Sequence, residues 1–317
     1  MTMIEWLFEA GIGEARAALV EGERILVAAI EPDDAGPLVG LVSRARLVER
    51  LPARRGRATL DNGAEILVSD LPPALTQGAA LMVEITREAI FEAGRAKPPQ
   101  GRPSDAPPAP APDLLARLVA TGHPVRHLRA HEPDLLERAG WSELLEEAAT
   151  GDIAFAGGAL RMSPTPAMTL FDVDGAPPVD ALALAAAPVV AAAILRHGIG
   201  GSIGVDFPTV EGKAARLAVA AAIDAALPPP FERTAMNGFG FLQIVRPRPR
   251  ASLPERVRAT PTLATARAAL RRIEREPAGA PRAHALPAPV HAALLARPHW
   301  LAELARRTGV VHQLEPA

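Results

Sequence analysis

Two short acidic segments hold the residues best suited to chemistry: Phe171-Asp172-Val173-Asp174-Gly175 and Gly204-Val205-Asp206-Phe207. Each follows or sits in an apolar run that reads as a buried strand. An ionised carboxylate in such a place is costly unless a cation or hydrogen-bond donors compensate it. Two aspartates placed this way suggest a shared divalent metal. Asp172 and Asp206 lie 34 positions apart, a distance that a helical crossover covers while returning to an adjacent strand. The pattern alone fits a structural role, such as capping a turn, equally well.

The surrounding elements must bring the two together. Ala159-Leu160-Arg161-Met162 and Met168-Thr169-Leu170-Phe171-Asp172-Val173 read as paired strands joined by Ser163-Pro164-Thr165-Pro166. An alanine-rich helix over about 179–197, ended by Gly198-Ile199-Gly200-Gly201, leads into Ser202-Ile203-Gly204-Val205-Asp206-Phe207. This strand, helix, strand order predicts a βαβ crossover with both aspartates at carboxyl ends, the edge where sites form in open α/β sheets. Further helices are predicted over 113–119, 132–149 and 211–227, a strand over 239–246 and a basic helix over 261–276, with strand, helix, strand over 284–317.

Upstream, residues 16–90 alternate short apolar runs with turn signals, and Asp61-Asn62-Gly63 is a hairpin turn, so an antiparallel sheet or barrel is expected there. From 93 to 112 the chain turns to proline, alanine, glycine and charge, which reads as a semi-extended linker. The expected organisation is α+β or α/β overall. It comprises a β-rich module (1–92), a linker (93–112), an α/β core (113–260) and a small C-terminal α/β subdomain (261–317).

With 317 residues, 49% hydrophobic, the chain can bury a sizeable core. Cysteine is absent, which excludes disulfides, thiol catalysis and cysteine-bound zinc and is compatible with a reducing cytoplasm. The most apolar stretch, 181–195, is mostly alanine and contains Pro188, so no membrane span is expected, and the first residues lack the basic and apolar regions of a secretory signal. A net charge of -2 does not announce nucleic-acid binding, yet nine arginines stand against three acids between Arg246 and Glu276. That stripe either holds phosphates or is a solvated face.

Five stretches, in order, resemble the ribonuclease E/G family of endoribonucleases over most of the chain. Gly157-Gly158-Ala159-Leu160 through Phe171-Asp172-Val173-Asp174 is similar to the family's Gly-Gly, strand, Ile-Asp-Val-Asn segment. Gly200-Gly201-Ser202-Ile203-Gly204-Val205-Asp206-Phe207 resembles its Gly-Gly-hydrophobic-Ile-Asp-Phe segment, and Asn237-Gly238-Phe239-Gly240-Phe241-Leu242-Gln243-Ile244-Val245-Arg246 lies where the family has Ser-Arg-Phe-Gly-Leu-Leu-Glu-Met-Ser-Arg. Glu14 to Arg24 resembles the opening strand and turn, and His284 to Val290 the small C-terminal subdomain. The resemblance implies a Mg²⁺-dependent endoribonuclease cutting single-stranded RNA to leave 5′-phosphate and 3′-hydroxyl ends. Asp172 and Asp206 would be the catalytic metal ligands, with Mn²⁺ able to substitute, and an oligonucleotide-binding (OB-like) barrel would lie in the N-terminal module.

The chain departs from that pattern at instructive places. Asp174 stands in place of Asn, adding a carboxylate that could be a third ligand while removing an amide donor. Gly238 replaces Arg and Gln243 replaces Glu. Thr59 and Ser69 occupy the barrel positions of stacking aromatics, and only 3% of residues are aromatic, so RNA is expected to be gripped through its backbone. The RNA-binding candidates are Arg87, Arg95, Asn237, Arg246, Arg248 and Arg250. The region that senses a 5′-monophosphate in the family is replaced by the proline-rich segment and a short helix. No monophosphate dependence is expected, and any homo-oligomer would not be zinc-linked. A second reading keeps the fold and loses catalysis, leaving an RNA-binding protein; a third is a scaffold that joins other proteins.

Overall fold

The computed structural model describes residues 3–92, 95–277 and 279–317, with the backbone alone of Phe91, Glu92 and Arg95. β1 (Ile4–Ala10), β2 (Glu14–Glu21) and β3 (Arg24–Pro32) form an antiparallel meander. The chain then builds a closed barrel from β4 (Val42–Leu51), β5 (Arg55–Leu60), β6 (Glu65–Val68) and β7 (Ala80–Arg87). After a small hairpin, β8 (Ile90–Glu92) and β9 (Arg95–Lys97), comes the closing strand β10 (Gln100–Pro103). The barrel order is β10-β6-β5-β4-β7, and alternate residues such as Leu47, Leu60, Ile66, Val83 and Ile85 fill its interior. Asp61-Asn62-Gly63 makes the predicted turn between β5 and β6, where the Asn62 side chain accepts from Ala64 N–H at 3.0 Å.

The expected 93–112 linker is therefore largely structured. β10 pairs parallel to β6 and antiparallel to β7, and Ala109 bridges to Val42. Proline density hid this strand, because Gln100, Gly101 and Arg102 between the prolines retain the N–H groups a ladder needs. The 113–260 boundary also shifts. After α1 (Leu114–Val119), the strand β11 (Val125–His127) adds parallel to β1, giving a β11-β1-β2-β3 sheet. α2 (Leu135–Arg138) and α3 (Trp141–Thr150) follow, burying Leu136, Trp141, Leu144 and Ala148 against Leu7, Ala18, Val20 and Ile25. These helices complete the core of the first sheet.

The second sheet holds the two aspartates. It contains β12 (Asp152–Phe155), β13 (Gly158–Pro164) and β14 (Thr169–Gly175), then α4 (Val179–Arg196) and β15 (Gly201–Asp206). α5 (Lys213–Ala226), β16 (Glu232–Arg233) and β17 (Phe241–Arg246) complete the six-stranded order β12-β13-β14-β15-β17-β16. β14 and β15 are its parallel pair, joined by α4 as predicted. α4 is the one helix among the described residues long and apolar enough to cross a membrane by composition, but its alanines let it pack closely on the sheet. Pro188 sits on its exposed side, where the carbonyl deprived of a helical partner faces solvent.

α6 (Leu253–Ala259), capped by Ser252 and Glu255, leads to the C-terminal part. There α7 (Pro261–Glu274), β18 (Ala283–Leu286), α8 (Ala288–Leu295), α9 (Pro298–Thr308) and β19 (Gln313–Pro316) bury Leu270, Ile273, Leu294 and Trp300 around Ile12 from the β1–β2 turn.

Candidate metal centre

Alternation within β14 sends Phe171 and Val173 into the core beneath α4 and α5, which leaves Leu170, Asp172 and Asp174 on the opposite face. Ile203 and Val205 of β15 are likewise buried and Asp206 is exposed. Register then brings the two carboxylates together. Asp172 is the direct parallel partner of Asp206, on strands about 4.8 Å apart. The row continues on both sides, since Arg161 pairs with Asp172, Asp152 with Arg161, and Phe241 with Asp206. Five side chains from five strands thus line one face at the carboxyl ends of the parallel pair.

The core helices pack against the other face of the sheet. On the site face, Gly204 keeps the surface between the strands low. A Cβ there would stand 2.8 Å from the Phe241 ring, 2.9 Å from Met168 sulfur and 3.1 Å from Leu170 Cδ1.

Electrostatics mark Asp172. Burial, reinforced by the neighbouring charges of Asp174 and Asp206, pushes its pKa above the ordinary aspartate value, while Arg161 and a hydrogen bond from Val173 N–H oppose the rise. Among the described residues neither Asp172 nor Asp206 forms an ion pair, and Arg161 is engaged with Asp152 at 3.3 Å. Two accessible oxygen donors whose charges repel fit a hard divalent cation, which would relieve that repulsion. Asp174 adds to the negative field without completing a three-ligand group, because among the described residues no three His, Asp or Glu side chains converge as a metal site. Two carboxylates suffice for Mg²⁺, which keeps several waters.

No family model matches this sequence, and no curated protein matches it.

The RNA-binding candidates fare differently from the aspartates. Asn237 is occupied in building a turn: its side-chain oxygen accepts from Phe239 N–H at 2.9 Å and Phe241 N–H at 3.0 Å. Arg246 pairs in register with Gly201, which puts it on the face opposite the carboxylates and five residues along β17 from Phe241, the partner of Asp206. Arg248 pairs with Glu255, and Arg250 lies 3.0 Å from the buried Glu88. Arg87 donates to the Pro98 carbonyl at 2.9 Å, close to the barrel's closing strand. The Arg95 side chain lies outside the described residues.

The wider arginine stripe is likewise an internal charge lattice. Arg256 meets Glu88 at 2.9 Å, Arg267 meets Asp34 at 3.0 Å, Arg271 meets Glu14 at 2.5 Å and Arg275 meets Glu9 at 2.8 Å. The acids that neutralise these arginines lie far upstream in the sequence, so a local charge count missed them. Two residues of the site escaped sequence reading. Arg161 was legible only as an outward position of a strand, and Phe239 only as part of a motif. The register of β13 and the turn before β17 give them their place.

Proposed function

We propose that this chain is a Mg²⁺-dependent endoribonuclease acting on single-stranded RNA in cytoplasmic RNA processing or decay, a divergent relative of the ribonuclease E/G family. The observation that carries the reading is the in-register pairing of Asp172 with Asp206 on an uncovered sheet face. Those two residues would hold the ion. The bound metal would supply Lewis-acid stabilisation of the scissile phosphate and a more acidic water for in-line attack. Arg161, opposite Asp172, is placed to contact a phosphate oxygen once its loose, exposed contact with Asp152 yields. The barrel supports the reading as well, because its order β4-β5-β6-β10-β7, with β6 and β10 parallel, is that of an OB-like barrel.

A second reading, an RNA-binding protein with little or no catalysis, is favoured by Gly238. It stands where the family has an arginine, and a Cβ there meets nothing within 4 Å. Arg246, Arg248 and Arg250 do not replace that cation at the carboxylates. Incubating purified protein with fluorescent single-stranded RNA, with and without Mg²⁺, beside Asp172→Asn and Asp206→Asn, separates the two. Metal-dependent cleavage with 5′-phosphate ends, lost in both variants, supports the nuclease. Salt-sensitive binding without cleavage supports the alternative, and cleavage surviving both substitutions removes the site assignment.

A further inference from the structure

Phe239 is 84% exposed, the most exposed of the large hydrophobic residues and the one aromatic among them in the described part of the chain. A lone exposed apolar side chain is ordinary. This one is held by a prebuilt turn at the edge of the carboxylate row. The Asn237 side-chain oxygen takes the N–H groups of both Phe239 and Phe241, while Asn237 N–H donates to the Phe241 carbonyl at 2.9 Å. Gly240 then locks the turn onto β15. It adopts φ +94°, a Cβ on it would come within 2.1 Å of the Phe207 carbonyl oxygen, and its own carbonyl accepts from Phe207 N–H at 3.2 Å. Phe207 directly follows Asp206, and Phe241 is the cross-strand partner of Asp206. Phe239 therefore lies two residues before the cross-strand partner of a proposed metal ligand, in a turn pinned to the end of that ligand's strand.

We propose that Phe239 is a stacking platform for an unpaired base next to the phosphate at the Asp172–Asp206 pair. The inference rests on the nucleic-acid reading of that face. An exposed ring carried on a pinned backbone turn offers a π-surface to any base, so it would select single strands over duplex without selecting sequence. It also supplies, at the second sheet, the stacking that Thr59 and Ser69 cannot supply at the barrel. Gly238, with open space around it, leaves room for a base to approach the ring.

Fluorescence anisotropy tests this with a labelled single-stranded RNA dodecamer and a matched dodecamer carrying abasic positions, each with and without Mg²⁺. The proteins are wild type, Phe239→Ala, Phe239→Leu and Phe239→Trp. The expected result is a loss of affinity of about 5- to 150-fold for intact RNA in the alanine and leucine variants, with tryptophan retaining affinity. Abasic RNA should bind the wild type weakly and lose nothing further in Phe239→Ala. Unchanged melting temperature in Phe239→Ala is expected from its exposure and shows that the fold is intact. Equal affinity of wild type and Phe239→Ala for intact RNA overturns the proposal while leaving any Mg²⁺-dependent cleavage, and so the nuclease reading, standing. A stacking effect without cleavage overturns only the nuclease reading. Absence of RNA binding overturns both.

Discussion

The uncovered face of the second sheet and the arginine-rich segment 246–276 both look charged in sequence, and they use charge in opposite ways. Six of the nine arginines in the segment meet a carboxylate, some of them deep in the protein; Arg16, which is 1% exposed, bridges Glu9 at 2.7 Å and Asp134 at 2.6 Å in the same network. On the sheet face, Asp172 and Asp206 stand side by side and Arg161 is drawn toward Asp152. Compensated charge holds elements together, whereas uncompensated charge of one sign is free to take a ligand. This contrast, not the number of charged residues, separates scaffold from site.

The largest effect expected from breaking the contrast is on activity. Asp172→Asn and Asp206→Asn should each lower Mg²⁺-dependent cleavage by more than the roughly 10- to 100-fold that losing an outer hydrogen-bond partner costs a metal site, read from initial rates on a fluorescent RNA. The next is on stability. Arg16→Met removes one of the two arginines that bridge Glu9 and Asp134, leaving Arg275 as the other, and should cost about 3 kcal/mol in urea denaturation, the low end for breaking a buried pair, with RNA cleavage per folded molecule retained. Loss of cleavage without loss of stability would reverse the roles assigned to the two regions.

Acid titration sharpens the comparison through its sign. Burial raises the Asp134 pKa, but Arg16 and the N–H of Glu137 more than offset this and hold it below the ordinary 3.8. Its stabilising contribution is present above the unfolded value and is lost as pH falls through the lower folded value. Asp172 is the reverse. Its pKa lies above 3.8, so its contribution is fully present below the unfolded value and disappears as pH rises through the folded one. In metal-free buffer at neutral pH, Asp172→Asn should therefore raise the melting temperature and Asp134→Asn should lower it. The smallest expected effect concerns the RNA end: cleavage rates on 5′-triphosphate and 5′-monophosphate substrates should agree within about threefold, a margin of about 0.7 kcal/mol. A large monophosphate preference would show that a sensor exists elsewhere.

Much of this site was legible in sequence because strand periodicity is local. The alternation in Thr169-Leu170-Phe171-Asp172-Val173 fixes which side chains are buried, and the helical crossover makes adjacency to Ser202-Ile203-Gly204-Val205-Asp206 the natural outcome. What sequence could not show depends on partners distant along the chain. β10 closes the barrel despite its flanking prolines because β6 and β7 present free edges to it. Arg271 looked available for phosphate because Glu14, its partner at 2.5 Å, lies 257 residues away. Arg246 was assigned to the site by proximity in sequence, yet the two-residue period of β17 turns it to the other face.

Mn²⁺ binding to the carboxylate pair is the most direct test of the central claim. A crystal soaked in Mn²⁺ should show one anomalous peak between the Asp172 and Asp206 carboxylates, and that peak should vanish in Asp206→Asn. A peak elsewhere with none at the pair, or a pair that stays empty at millimolar Mn²⁺ while RNA cleavage remains metal-dependent, would contradict the account.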